Sequence, residues 1–284
     1  EKGETVGWLD ERQLQWLRND LRSVPEDKLL VLLMHIPIYT DILPQDPYRN
    51  IQNRAALFEI LQPRERILAL AAHTHFIEHV DIRKGGWQGE GDFQHLVCGA
   101  ACGAWWKGPR DWQGVPARMG MDGAPNGFWR FDFDGSGYRY AFQPAGMPAH
   151  EQVGLRYPAE GPQAACTDGT HIIANVYAAS LEASVSFQVD DLPPRTMERC
   201  VERDPLVLYF MQQYEDDYPE WMKPRDCAHL WKAPMLESLT AGTHTISIQV
   251  FEPNGQGLSY HRVFYFDPEQ HRLQMEEAVG EALR

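Results

Sequence analysis

The sequence has few of the features that mark a disulfide-rich or a membrane-spanning protein. It contains only five cysteines in 284 residues, a sparse and odd set that is typical of free buried thiols. A single disulfide between Cys200 and Cys227 stays open as an alternative. No apolar run reaches the roughly 18 residues that a membrane-spanning helix requires. The first residues, EKGE, carry neither a secretory signal nor an initiating Met. We therefore interpret the start as a cut within a longer protein, which could have lost an export signal.

Positive charge is also scarce. The chain has 26 Lys and Arg against 40 Asp and Glu, a formal net charge of −14, and it has no basic stripe. Most of such a surface would repel a nucleic-acid backbone, so we expect no nucleic-acid partner. Phosphate esters of small molecules are a different case, because bound metal ions can supply positive charge locally.

What the sequence does contain is typical of a folded protein of one large or two ordinary domains. Hydrophobic residues make up 43% of it and charged residues 23%, values that are unlike those of a disordered chain. In the first third, amphipathic segments alternate with apolar runs, which predicts an α/β layer. The predicted elements are a helix over 10–23 capped by Asp10, a strand buried on both faces over 29–35, a helix over 53–62 with Asn53 as a possible cap, and a buried strand over 66–75.

After residue 76 the pattern changes to short alternating segments with glycine turns, which predicts hairpins. Residues 99–127 form a long stretch rich in Gly and Trp, and loops of this length are usually functional or packed on themselves. The proline-rich residues 144–163 mark a domain boundary. Beyond it, strands at sandwich-like spacing are predicted for HIIANVYAA, ASVSFQV, LVLYFMQQY, GTHTISIQVFE and YHRVFYF, followed by a polar helix or tail over 268–283.

The fold class predicted from these patterns is α/β over residues 1–145, followed by an all-β, immunoglobulin-like sandwich over residues 146–284.

Three histidines, His35, His73 and His75, lie at the C-terminal ends of the two strands of the α/β layer. Ligands bind at that edge in open α/β sheets, and neutral imidazole is the commonest metal ligand at physiological pH. Two histidines two positions apart on a strand point the same way, so His73 and His75 are expected to approach one site that His35 reaches from the adjacent strand. Three unrelated polar residues at strand ends are the alternative, but the combined pattern favours a metal site.

These motifs resemble those of the calcineurin-like metallophosphoesterases. MHIPI around His35 and AHTH at residues 72–75 look like the family's last two motifs, an apolar strand that ends in His near a Pro and then Gly-His-x-His, with Ala72 in place of the Gly. GWLDERQLQWLRNDL is similar to the helix before the first of these motifs. Two downstream segments resemble the C-terminal region of a bacterial subgroup: GAWWKGPRDWQGVPARMGMDGAPNGFWRFDFDG and AHLWKAPMLESLTAGTHTISIQVFEPNGQ.

The resemblance implies that residues 1–145 are the C-terminal half of an αββα metallophosphoesterase core. It implies two divalent metal ions (Mn, Fe or Zn), with His35 and His73 as ligands of one ion and His75 as a ligand of the other. The earlier motifs of the family, which supply the bridging Asp, an Asn ligand and the His that protonates the leaving group, have no match here. We therefore assign no catalytic acid or base. Three neutral imidazoles without a bridging carboxylate are expected to hold metal weakly or not at all.

Buried parallel strands need neighbours, and an exposed apolar edge favours aggregation. We therefore expect the missing N-terminal half to come from another polypeptide, or copies of this chain to associate as a homo-oligomer. Members of the bacterial subgroup are often exported, so a periplasmic or exported location is suspected, and the compartment stays undecided.

The long loop supplies candidate substrate-binding residues: Trp105, Trp106, Asp122 and Asn126. Aromatic side chains with a few polar groups usually line ligand pockets, and these four would form a wall over the metal site. A loop packed on itself, with Asp122 and Asn126 as turn formers before glycine, stays open as the alternative.

The function that the resemblance implies is metal-dependent hydrolysis of a phosphate mono- or diester, with a small phosphate ester as partner. In this chain alone the activity is expected to be impaired or absent. A non-catalytic fragment whose β-sandwich binds a partner or a carbohydrate is one alternative. A mononuclear zinc hydrolase is another. The substrate stays open, because a fold does not determine a function.

Overall fold

The structure is a computed structural model that describes residues 6–157, 171–236, 239–253, 255 and 257–269. No helix among these residues is both long enough and apolar enough to cross a membrane.

The first element is helix α1, Glu11–Leu21, which confirms the predicted helix. Its N-terminus is a capping box. The Asp10 carboxylate accepts from the backbone N–H of Gln13 at 2.8 Å, and the Gln13 side chain accepts from the Asp10 N–H at 2.9 Å. Both bonds satisfy backbone N–H donors that have no partner within the helix. The buried leucines Leu14 and Leu21 hold the helix on the domain.

A four-stranded mixed sheet carries the candidate site. Its order is β1-β2-β4-β3, with β1 pairing parallel to β2, β2 parallel to β4, and β3 antiparallel to β4. Helix α2 connects β1 to β2, as the predicted strand, helix and strand require. The parallel register places Leu33, the last residue of β1, opposite Leu70 near the end of β2. The chain therefore leaves both strands at the same edge of the sheet. The elements are β1 (Leu29–Leu33), α2 (Arg54–Leu61), β2 (Arg66–Ala71), β3 (Ile77–Val80) and β4 (Asp92–Cys98).

Three details of this layer correct the sequence-based expectations. Strand β1 is not buried on both faces: it is half-buried, and Leu33 is 77% exposed. It is an edge strand, and no described strand pairs with its outer side. Strand β2 ends at Ala71 and not at residue 75, so the last two histidines lie in a loop. Asn53 makes no side-chain cap for α2; its amide instead pairs with the backbone of Leu9 at 3.0 and 2.6 Å.

One of the two predicted hairpins is confirmed, and the other pair of strands belongs to the mixed sheet. Strands β5 (Gly127–Asp134) and β6 (Gly137–Pro144) form a two-stranded antiparallel hairpin, as the alternation predicted. Its turn places Gly135 at a φ of 59°, a conformation that glycine adopts without steric cost. The other two segments, β3 and β4, also pair antiparallel. However, β4 lies between β2 and β3 and so belongs to the mixed sheet.

The remaining strands form one antiparallel sheet of seven, in the order β13-β12-β9-β10-β11-β8-β7. All seven contribute side chains to one apolar core. The sheet curls until its edge strands approach, since Tyr157 after β7 packs on Phe264 of β13 with ring centroids 4.9 Å apart. The β-rich nature of this region is confirmed, but the immunoglobulin-like sandwich is not. The strands are β7 (Val153–Arg156), β8 (His171–Val176), β9 (Ser184–Val189), β10 (Arg195–Arg203), β11 (Asp226–Pro234), β12 (Gly242–Phe251) and β13 (Gly257–Phe266).

The segment LVLYFMQQY is a helix, α3 (Pro205–Gln213), so the predicted strand there is wrong. The local reason is a strong start signal. The Asp204 carboxylate accepts from the N–H of Leu206 at 2.8 Å, and proline is well suited to the first helical position. The predicted domain boundary over 144–163 lies outside the described residues from residue 158 onward. The predicted tail over 268–283 lies outside them from residue 270 onward. A division of the chain at residue 145 stays a prediction.

Candidate metal site at the edge of the mixed sheet

His35 and His73 meet just beyond the ends of β1 and β2. Nδ1 of His73 lies 2.9 Å from Nε2 of His35, and the two rings make an edge contact with centroids 4.7 Å apart. The backbone keeps the two exits together, because the N–H of Ala72 donates to the carbonyl of His35 at 3.1 Å. The two imidazoles therefore converge on one point, as their positions at neighbouring strand ends led us to expect.

The positions of His73 and His75 depend on backbone conformations that the sequence does not predict. Both have left-handed backbone conformations, with φ of 68° and 62°. Between them, Thr74 is buried and donates its N–H to Ala72 at 2.8 Å. The argument from strand alternation is therefore wrong, since neither histidine lies on a strand. Non-glycine residues in this region of φ are strained, and such strain clusters at functional sites.

Two of the imidazoles are oriented by backbone carbonyls. Nε2 of His73 lies 3.0 Å from the carbonyl oxygen of Tyr48, and Nδ1 of His75 lies 2.6 Å from that of Gly103. A carbonyl can only accept, so each of these nitrogens carries the proton, and the opposite ring nitrogen keeps its lone pair. Histidines that bind metals are commonly held in this way.

The burial of the site favours neutral rings. Burial lowers the pKa of His73 and of His75, and the positive charge of Arg49 lowers both further. A neutral imidazole has the lone pair that a metal ion requires. Both rings are therefore suited to act as ligands at neutral pH.

The ring pair fits part of a metal centre. A nitrogen ligand lies about 2.0–2.1 Å from zinc, and two such bonds at the tetrahedral angle separate the nitrogens by about 3.3 Å. The nitrogens of His35 and His73 lie 2.9 Å apart, at hydrogen-bond distance, and need only a small separation to share an ion. A complete site is a different matter: among the described residues, no three His, Cys, Asp or Glu side chains gather so that they could hold an ion. The residues thus fit two ligands of one ion and do not complete a two-ion centre.

Of the four predicted substrate residues, Trp105 contacts a candidate ligand. Trp105 stacks on His75 with ring centroids 3.8 Å apart and an interplanar angle of 18°. Trp106 follows it and is 51% exposed. A third aromatic ring, that of Trp221, meets Trp105 edge-on at 5.2 Å and is 60% exposed. The sequence analysis did not identify Trp221, because it lies after α3, 116 positions from Trp105 in the chain, and belongs to no recognisable motif.

The structure does not bring Asp122 and Asn126 to the surface beside the imidazoles. Asp122 is 1% exposed, and its carboxylate accepts from the N–H groups of Ile77 at 2.6 Å and Ala124 at 3.1 Å. Asn126 is also buried, and its Oδ1 has no hydrogen-bond partner among the described residues. In this arrangement both side chains organise the interior of the loop, which corrects their predicted place in a substrate wall.

Asp122 connects the mixed sheet to the seven-stranded sheet through a buried polar network. Its carboxylate lies 3.2 Å from Nε2 of His229, and Nδ1 of that ring lies 2.7 Å from Oδ1 of Asn175. The Asn175 amide donates to Asp204 at 2.6 Å, and Asp204 pairs with the Arg156 guanidinium at 3.1 Å. The long loop over residues 99–127 is therefore held from both sides, since the Asp122 carboxylate bonds to Ile77 of the mixed sheet and to His229 of the seven-stranded sheet.

The part of the chain that matches a known protein family follows the three histidines. Residues 95–257, more than half of the chain, match the family described as the C terminal of calcineurin-like phosphoesterase. The chain therefore belongs to the calcineurin-like phosphoesterases, which are generally two-metal enzymes. It is also similar to a protein of Arcobacter nitrofigilis named probable glycerophosphodiester phosphodiesterase GpdQ, with 37% identity over 76 residues. That match covers 26% of this chain and only 28% of the relative. No solved structure gives a significant match.

Proposed function

We propose that this chain supplies imidazole ligands for the metal-dependent hydrolysis of a phosphate mono- or diester. The single observation that supports this most directly is the 2.9 Å approach of His73 Nδ1 to His35 Nε2. Two side chains that follow separate strands present ring nitrogens to one point, and backbone carbonyls orient His73 and His75. Membership of the phosphoesterase family supports the same reaction class.

In this proposal the protein's residues have distinct tasks. His35 and His73 hold one divalent ion, and His75 offers Nε2 to a second. A bound divalent ion of this kind supplies Lewis acidity and an activated water. Trp105 and Trp106 form an aromatic wall beside His75 that keeps bulk water from one side and contacts the ester's organic part.

Metal occupancy in the chain alone is proposed to be weak. Two divalent ions about 3.5–4 Å apart need anionic ligands between them to offset their repulsion. The described residues place no carboxylate with the imidazoles. Hydrolysis by this chain alone is therefore expected to be slow or absent unless a further carboxylate joins the site.

The similarity to a probable glycerophosphodiester phosphodiesterase suggests which ester to test first. The relative's name concerns a diester, and the match covers about a quarter of either chain. A diester with good leaving groups is therefore the most informative generic probe.

The test measures bound metal and hydrolysis of bis(p-nitrophenyl) phosphate with and without added Mn²⁺. Wild type should bind Mn²⁺ or Zn²⁺, and His73→Ala should reduce the affinity at least about tenfold, because it removes a ligand from the pair. His150→Ala is the matched control, since its side chain is exposed and lies outside the site. Equal metal binding by wild type and His73→Ala would contradict the proposal. One zinc per chain with a pH-dependent esterase activity would instead favour the mononuclear hydrolase.

A second candidate is a non-catalytic module that binds a carbohydrate or a protein partner. The observation in its favour is the exposure of large aromatic rings, with Trp112 at 90% and Trp221 at 60%. Such rings stack on sugars and anchor protein interfaces. A chain that binds no metal and hydrolyses nothing, but whose tryptophan fluorescence changes on adding oligosaccharides, would favour this candidate.

A further inference from the structure

Arg49 lies against the candidate metal site, although no motif in the sequence draws attention to it. Its guanidinium Nη1 is 3.3 Å from Nε2 of His73. Its positive charge also acts on both His73 and His75, where it lowers the imidazole pKa. The arginine is half-buried and lies in the connection between β1 and α2.

The contact between Arg49 and His73 is not a satisfied hydrogen bond. A guanidinium can only donate and stays charged at all ordinary pH. Nε2 of His73 lies closer to the carbonyl of Tyr48, at 3.0 Å, and that contact requires the nitrogen to carry its proton. One nitrogen cannot donate to the carbonyl and accept from the arginine at the same time. The guanidinium therefore faces a group that cannot receive its hydrogen bond.

Arg49 also lacks an anionic partner in the described part of the chain. No carboxylate among those residues lies within ion-pair distance of its guanidinium. A half-buried cation without a counter-ion is costly, particularly in a protein with 40 acidic residues that could have supplied one. The arrangement is complementary to an anion that comes from outside the protein.

The backbone holds Arg49 in this position. The neighbouring Asn50 is buried, and its amide donates to the carbonyls of Leu43 and Asp46 at 2.8 Å each. Its Oδ1 accepts from the N–H of Thr40 at 2.9 Å. The side chain of Asn50 thus joins three points of the loop, so the turn that carries Arg49 is fixed before any ligand arrives. A preorganised charge loses less entropy on binding.

We propose that Arg49 binds the phosphate group of the substrate, donating two hydrogen bonds to its non-bridging oxygens beside His35 and His73. This assignment rests on the proposed function and adds the residue that recognises the anionic part of the ester. A guanidinium matches two phosphate oxygens with parallel N–H donors, a geometry that lysine cannot reproduce. Arg49 is thereby a substrate-binding residue and not a metal ligand.

The test titrates inorganic phosphate by calorimetry into wild type, Arg49→Gln, Arg49→Lys and Arg83→Gln. Each protein is used once after saturation with Mn²⁺ and once after chelation. Arg49→Gln should weaken phosphate binding about 10- to 100-fold, the effect of losing a charged hydrogen bond. Arg49→Lys should fall between this variant and wild type. Arg83→Gln removes the same charge from an exposed position and should bind phosphate as wild type does.

Mn²⁺ affinity is measured in parallel, so that the two proposals can fail separately. Arg49→Gln should bind Mn²⁺ at least as tightly as wild type, because it removes a nearby positive charge. Loss of Mn²⁺ binding by the same factor as phosphate binding would overturn the assignment, as would phosphate affinity within twofold of wild type. The absence of phosphate binding by wild type in both forms would overturn it as well. A wild type whose Mn²⁺ binding does not depend on His73 refutes the metal proposal, whereas the phosphate titration of the chelated proteins still decides the role of Arg49.

Discussion

The carbonyl oxygen of Gly103 lies 2.6 Å from Nδ1 of His75, so the long loop sets the direction in which this imidazole points. Trp105, two residues further on, stacks on the same ring. One short segment of loop therefore both orients the histidine and covers it.

Gly103→Ala should destabilise the protein and weaken its metal binding. Gly103 has a φ of 51°, and a Cβ there would lie 2.0 Å from Asn126 Oδ1 and 2.6 Å from the Met119 carbonyl. The loop must shift, and the carbonyl that holds His75 shifts with it. Gly114→Ala is the matched control, because its φ is 79° but nothing lies within 4 Å. Both variants bear the left-handed strain of about 1–2 kcal/mol. Only Gly103→Ala should also lose affinity for Zn²⁺, and equal melting temperatures and affinities would contradict this reading.

Glu78 should make the protein less stable as the pH rises. Burial raises the pKa of its carboxyl from 4.5 to about 7, although Thr40, Asp41 and Ile42 donate hydrogen bonds that lower it. A raised pKa means that the folded state binds the proton more tightly. Its contribution to stability is therefore complete below about pH 4.5 and is lost as the pH rises through about 7. Glu78→Gln should thus gain stability over wild type across this range, by at most about 3 kcal/mol.

Urea unfolding of the two proteins at several pH values checks this prediction. Glu59→Gln is the control, since it removes one carboxylate from an exposed position on α2. The unfolding free energies of wild type and Glu78→Gln are compared from about pH 4.5 to about pH 8. If the difference between them stays constant, Glu78 does not titrate in this range.

Leu33→Lys should reduce self-association. The outer edge of β1 has no described partner, and Leu33 is its most exposed residue. An apolar edge strand is a template for pairing with another chain, and a charge on it opposes such pairing. Val263→Lys, on the edge strand β13, is the control at a comparably exposed position. Size-exclusion chromatography with light scattering measures the molar mass of each variant. Wild type and Val263→Lys should associate, whereas the mass of Leu33→Lys should shift toward that of the monomer. A clean wild-type monomer would count against pairing through this edge.

Asp122→Ala should be strongly destabilising. It removes the acceptor for the backbone N–H groups of Ile77 and Ala124 and leaves His229 without its buried carboxylate. Each buried donor that loses its acceptor costs about 1–3 kcal/mol. Asp132→Ala breaks an exposed pair with Arg130 and should change the melting temperature little. A melting temperature for Asp122→Ala as high as that of Asp132→Ala would mean that the network does not hold the two sheets together.

Hydrophobic periodicity correctly predicted the helices and strands whose caps and turns favour the same structure. The helix at residues 11–21 has a cap and an apolar stripe, and the hairpin at residues 127–144 has a glycine turn between alternating strands. Local signals failed where two readings compete. LVLYFMQQY has three aromatic residues and one valine among nine and so resembles a strand, yet the cap at Asp204 and the proline after it begin a helix. Half-burial of β1 could not be predicted either, since a continuous apolar run does not tell an edge strand from a central one.

The sequence by itself places three histidines after two apolar strands. Because the ends of parallel strands meet at one edge of a sheet, this order is enough to bring the histidines to the same edge. It also carried the motifs by which the chain resembles the phosphoesterases. Only the tertiary structure decided which other groups reach that edge. Arg49 beside His73, Gly103 under His75 and Trp221 against Trp105 are all brought there by loops. Loop conformation depends on packing and hydrogen bonds between residues far apart in the chain, and no local pattern records those contacts.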